Sequence, residues 1–228
     1  MNDRALSGFR NIYKGLLFKA GITAAALVLL PVCRVILLMM NISPEKMDEL
    51  PFYQAYFMFS ASCILLAIII TNNGLICTQH LSKSLHLANL FYVALIAVYI
   101  LQIFERFLSG IIPALRDVGD VTPLPQRILI SARTLMELLS LCYLQQGLRA
   151  VWLTYRGETK TAHHLQIAFI VYLTAKSVYL ISYVLENVLP EALYAVLNVS
   201  GTLVSVPAFI YTIIFARKLA DRLQKLTS

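Results

Sequence analysis

Charge is scarce in this chain. Only 14% of its 228 residues are Asp, Glu, Lys or Arg, against about a quarter in soluble domains. Apolar residues make up 59%, where soluble domains carry about 45–50%, so a water-soluble globule is excluded. Only nine glycines and eight prolines occur, too few for a collagen-like or low-complexity chain. Four cysteines occur, Cys33, Cys63, Cys77 and Cys142, with no CxxC among them. All lie in apolar stretches, which argues for small buried side chains rather than disulfides or a thiolate metal site. HExxH, GxSxG, P-loop and paired-acid motifs are absent, so no catalytic residue is nominated and an enzyme is the less favoured class. The histidines, His80, His86, His163 and His164, fall at the ends of apolar runs rather than inside them. Neither haem nor any other cofactor, nor a metal, is therefore expected.

What the chain does have is long apolar runs. A membrane-spanning helix needs about 20 mostly apolar residues. Six segments qualify: 15–40, 53–79, 86–112, 126–150, 163–187 and 192–216. The first is about 25 residues long, more than a signal-peptide core, and no small-x-small site follows it, so it reads as a span. The joints between spans are short. The expectation is an all-α polytopic membrane protein, a six-transmembrane-helix bundle forming one integral membrane domain over 1–228.

Orientation follows from the placement of Lys and Arg in short loops. One side collects Arg4, Arg10, Lys14, Lys19, Lys83, Arg149, Arg156, Lys160, Arg217, Lys218, Arg222 and Lys225. The other side holds Lys46, Arg116 and Arg127 against seven acids. Twelve bases against three set both termini in the cytoplasm, with the plasma membrane as the expected location. A net charge of +7 sorted in this way speaks for topology, and no nucleic-acid partner is expected. The basic tail "FARKLADRLQKLTS" reads as a docking helix for a membrane protein partner or as an anchor on anionic lipid.

An internal echo runs through the chain. With Lys83 set over Lys160, His86 meets His163, Asn89 meets Gln166 and Pro113 meets Pro190 without a gap. "NNGL" at 72–75 resembles "QQGL" at 145–148, and the second, fourth and sixth spans each follow a Leu-Pro. The pattern reads as three pseudo-repeated helical hairpins, an organisation in which transporters form sites between related units.

The remaining charges lie within spans: Arg34, Glu105, Arg106, Arg133, Glu137 and Lys176. Charged groups in hydrocarbon cost several kcal/mol unless they face the bundle interior or a wet cavity. Lys176, 13 residues from His163, and Glu137, 12 from Arg149, both lie roughly 20 Å from the inner face at 1.5 Å per residue. They are expected to pair, with Arg133 and Glu105 nearby. Tyr172, Lys176, Tyr179 and Tyr183 form one stripe of the fifth helix, suited to lining an amphipathic site. The candidate ligand-binding residues are thus Lys176, Glu137, Arg133, Arg34, Glu105, Arg106, Tyr172, Tyr179 and Tyr183. The excess of bases points to a small anionic or zwitterionic amphipathic solute, bound from the outer side by a transport protein or uptake subunit in contact with the lipid bilayer. A receptor, sensor or regulatory subunit of a larger membrane complex, an intramembrane enzyme, or a purely structural ion network are the competing classes. Asn72, Asn73, Gln145 and Gln146 are expected to hydrogen-bond across helices.

Overall fold

The computed structural model describes residues 3–39, 51–111, 124–155, 157–185 and 189–227. Among them the chain is all helical, with no strand. Six α-helices follow in order: α1 (Asp3–Met39), α2 (Pro51–Thr78), α3 (Lys83–Ile111), α4 (Leu124–Thr154), α5 (Thr159–Val184) and α6 (Glu191–Thr227). A 3₁₀ turn, Gln79–Leu81, joins α2 to α3. Five stretches are long and apolar enough to cross a membrane: Ala55–Leu81, Lys83–Glu105, Arg127–Thr154, Thr159–Val184 and Ala192–Leu226. By length and composition this is a membrane protein.

Proline and glycine set the ends. Pro51 opens α2 and Pro190 immediately precedes α6, positions where a missing N–H costs nothing. Between α4 and α5 the turn closes on Trp152. The Gly157 N–H donates to the Trp152 carbonyl at 2.9 Å, and the indole Nε1 donates to the Glu158 carbonyl at 3.1 Å. A Cβ on Gly157 would run into the indole ring itself, so only glycine lets the turn pass this closely.

Packing is most extensive within the pairs α1–α2, α3–α4 and α5–α6; α1 also meets α6 and closes the ring, and α4 reaches α6 across it. Close helix approach rests on glycine, as in membrane bundles generally. A Cβ on Gly74 would stand 2.5 Å from the Gly8 carbonyl oxygen and 2.7 Å from the Ile12 nitrogen. On α4, Gly147 faces the Leu85 side chain of α3, and on α6, Gly201 faces the Ala175 carbonyl of α5. The "NNGL" and "QQGL" glycines each lie at the seam of their own helix pair.

Both chain ends are longer parts of the bundle than the apolar runs imply. On α1, Ala5, Phe9, Ile12 and Leu16 are buried, and on α6, Phe215, Ala216, Leu219, Ala220 and Leu223. Spacings of three and four put each set on one helix face. The Arg10 guanidinium donates to Gln224 Oε1 at 2.9 Å, Arg222 lies 5.1 Å over the Trp152 ring, and Trp152 packs on Phe215 at 5.2 Å. The apolar face of the tail is thus occupied by the protein's own helices, while Arg217, Lys218 and Asp221 stay exposed.

Candidate functional site

Glu137 sits midway along α4, its side chain 16% exposed. Lys19 of α1 donates to its Oε1 at 3.1 Å, and Tyr99 of α3 donates to the same oxygen at 2.8 Å. Arg133, one turn along α4, donates through Nη1 to Gln102 of α3 at 3.1 Å and lies 5.7 Å from the Tyr99 ring centroid. The charges of Arg133 and Lys176 also act on the Glu137 carboxylate. Helices α1 and α3 thus contact one carboxylate of α4, and a charge on α5 acts on it.

The expected Lys176–Glu137 pair is replaced by Lys19–Glu137. Lys176 instead places its Nζ 5.2 Å from the Tyr179 ring centroid, one turn further along its own helix, where i,i+3 side chains meet. Lys19, which charge placement assigns to the cytoplasmic rim, is deep. The reason lies in the packing of α1 on α2. Gly8 abuts Thr78 and Gly15 abuts Thr71, so α1 already runs beside the C-terminal end of α2 at residue 8. Lys19 is 11 residues further on, roughly 16 Å. That is close to the level of Glu137, because α1 packs on α2 from about two turns before residue 15.

The aromatic stripe is gathered as well. Tyr172 is buried near Glu137, Tyr92 and Tyr99, and Tyr179 and Tyr183 lie within the field of Arg133. Tyr92, Tyr99 and Gln102 belong to the same region, although neutral groups leave no charge signal in an apolar run. Their register gives them away: Tyr92, Tyr99 and Gln102, with buried Leu95 between them, repeat at three and four residues along α3. Glu105 lies three residues beyond Gln102, at the end of the Lys83–Glu105 span. The side chains of Arg34 and Arg106 lie outside the described residues.

Chemically the site is a carboxylate holding one ammonium and one phenol, flanked by a guanidinium and a second ammonium. Three bases share one acid. Arg133 keeps its Nε buried without a hydrogen-bond acceptor. Such a set can attract and orient an anion; it offers no activated nucleophile. Compared with protein families, curated proteins and solved structures, the chain matches none. The reading of the site therefore stands on its own chemistry.

Closer to the basic end the polar groups are neutral. Gln145 Nε2 donates to Thr212 Oγ1 at 2.6 Å, joining α4 to α6, which is the cross-helix role its position in the span implies. Asn72 is also buried there, on α2.

Proposed function

We propose that this protein binds a small anionic or zwitterionic amphipathic solute at the Lys19–Glu137–Arg133–Lys176 cluster, as a membrane transporter or uptake subunit. One observation carries the reading: three bases act on a single carboxylate, Lys19 in contact with it and Arg133 and Lys176, both on span-forming helices, through their charge. Two positive charges in excess at this depth are costly without a counter-anion. Glu137 and Tyr99 hold Lys19 in place, leaving Arg133 and Lys176 to meet the solute, with Tyr179 and Tyr172 as its apolar wall. In this reading α1 is a sixth span, the three helix pairs are repeated hairpins, both termini face the cytoplasm across the plasma membrane, and the cluster is reached from outside.

The test is native mass spectrometry of the detergent-purified protein beside Lys176→Ala. A small co-purifying mass that disappears in a folded Lys176→Ala protein supports the proposal. A second reading, a structural ion network, is favoured by the closed Lys19–Glu137–Tyr99 contact. It predicts no bound mass and a large loss of thermal stability in the variant.

A further inference from the structure

A cleft of about 370 Å³ opens near the basic end of α4 and α5, lined among others by Ser84, Gln145, Arg149, Leu165, Gln166 and Phe169. It lies apart from the Glu137 cluster: Gln145 is eight residues from Glu137 along α4, roughly 12 Å. Two of its polar groups are buried and lack a hydrogen-bond partner, Arg149 Nε and Gln145 Oε1. Gln145 is 1% exposed. A buried orphan donor and a buried orphan acceptor are each costly, and the residues that carry them, Arg149 and Gln145, both line one cleft. A single ligand offering an anionic oxygen to Arg149 and a hydroxyl proton to Gln145 would satisfy both. Phosphate oxygens suit a guanidinium best. Lys83 and Lys160, exposed at the same end, add an attractive field for anions. Buried Leu165 and half-buried Phe169 supply an apolar wall beside the polar groups.

We propose that this cleft binds a phosphate ester carrying a hydroxyl group. Both an anionic phospholipid headgroup and a soluble polyol phosphate have that chemistry. The site is independent of the solute cluster and stands or falls separately from it.

The experiment titrates the purified full-length protein, in neutral detergent, with short-chain phosphatidylglycerol, glycerol phosphate or short-chain phosphatidylcholine. Binding is read from the emission of Trp152, one turn from Arg149, and confirmed by native mass spectrometry. Saturable binding of phosphatidylglycerol alone assigns the site to lipid; equal binding of glycerol phosphate assigns it to a soluble ester. In either case Arg149→Gln should weaken binding about tenfold or more, the loss expected for a charged hydrogen bond. If Arg149→Gln fails to fold, Gln166→Leu on the exposed rim takes its place, with about a threefold loss expected. Phosphatidylcholine binding as well as phosphatidylglycerol, no saturable binding at all, or unchanged affinity in a folded variant would overturn the assignment.

Discussion

Replacing Lys19 by Met tests the structure where it departs most from the charge pattern of the sequence. The two partners stand 3.1 Å apart with side chains 22% and 16% exposed. At that separation and an effective dielectric of about 20 the attraction is about 5 kcal/mol. Desolvation of both groups offsets much of it, so the expected loss for Lys19→Met is about 2–3 kcal/mol. Glu137→Gln should cost more, about 3–5 kcal/mol, because it leaves Lys19, Arg133 and Lys176 without their shared counter-charge. The double variant should then be less damaged than the sum of the singles, by about 1–2 kcal/mol. The cycle for Lys176 with Glu137 should couple by less than about 1 kcal/mol, since Lys176 rests on Tyr179 instead.

The assay is equilibrium unfolding in mixed micelles, followed by the fluorescence of the single tryptophan. Trp152 packs against Phe215 at 5.2 Å, remote from the substitutions, so it reports unfolding of the bundle rather than a local change. Additive effects for Lys19 and Glu137 would refute the direct contact. A larger coupling for Lys176 than for Lys19 would restore the pairing of sequence neighbours and move α1 out of the site.

The same unfolding assay separates the glycines: Gly74→Ala should cost about 2–3 kcal/mol because backbone atoms of Gly8 and Ile12 block the new methyl. Gly147→Ala should cost less, since the blocking atoms there are chiefly those of the Leu85 side chain, which can turn aside. Phe215→Ala should cost about 3–5 kcal/mol and shift Trp152 emission; no change would mean the tail does not pack on the bundle. In a cysteine-free background, Lys160→Cys should react with an impermeant maleimide only after cells are permeabilised, and labelling of intact cells would invert the proposed topology.

The helices were legible because apolar runs bounded by Leu-Pro and basic clusters leave few other solutions. Each expected span lies within an observed helix to within a few residues, apart from the ends that fall outside the described residues. The depth of α1 was not legible. A run of hydrophobicity locates where the last polar residue stands, not where a helix meets its neighbour. "GFRNIYKG" carries two bases, so it reads as a rim, yet its apolar face, Phe9 and Ile12, is fully buried. Arg10 turns to Gln224 and Lys14 is exposed, so the charges ride the outside of a packed helix. Glu137 and Arg133 stood out because charge in an apolar run is conspicuous. Tyr99 and Gln102, neutral and equally close, did not. The partner of a buried charge depends on which helix faces look inward, and that is a property of the assembled ring.

That ring also sets apart the two polar levels. Three or four residues toward the basic end from Lys19, Tyr99, Glu137 and Lys176 stands a buried apolar-bodied side chain: Leu16, Leu95, Leu141 and Tyr172 respectively. All four belong to one core cluster. Beyond them come Gln145, Thr212 and Asn72. A solute at the cluster would therefore meet a packed apolar layer about one turn thick before reaching the polar groups at the basic end. Packed layers are bistable rather than continuously deformable. A transporter must open this one, whereas a receptor needs only to feel the solute press on it. Leu141→Ala, which thins the layer from the centre of α4, should raise solute leak through liposomes if the protein transports. It should leave solute affinity at the Glu137 cluster within a few-fold of the parent in either case, because no charged group has moved. Leak unchanged with binding intact would place the protein among the sensors.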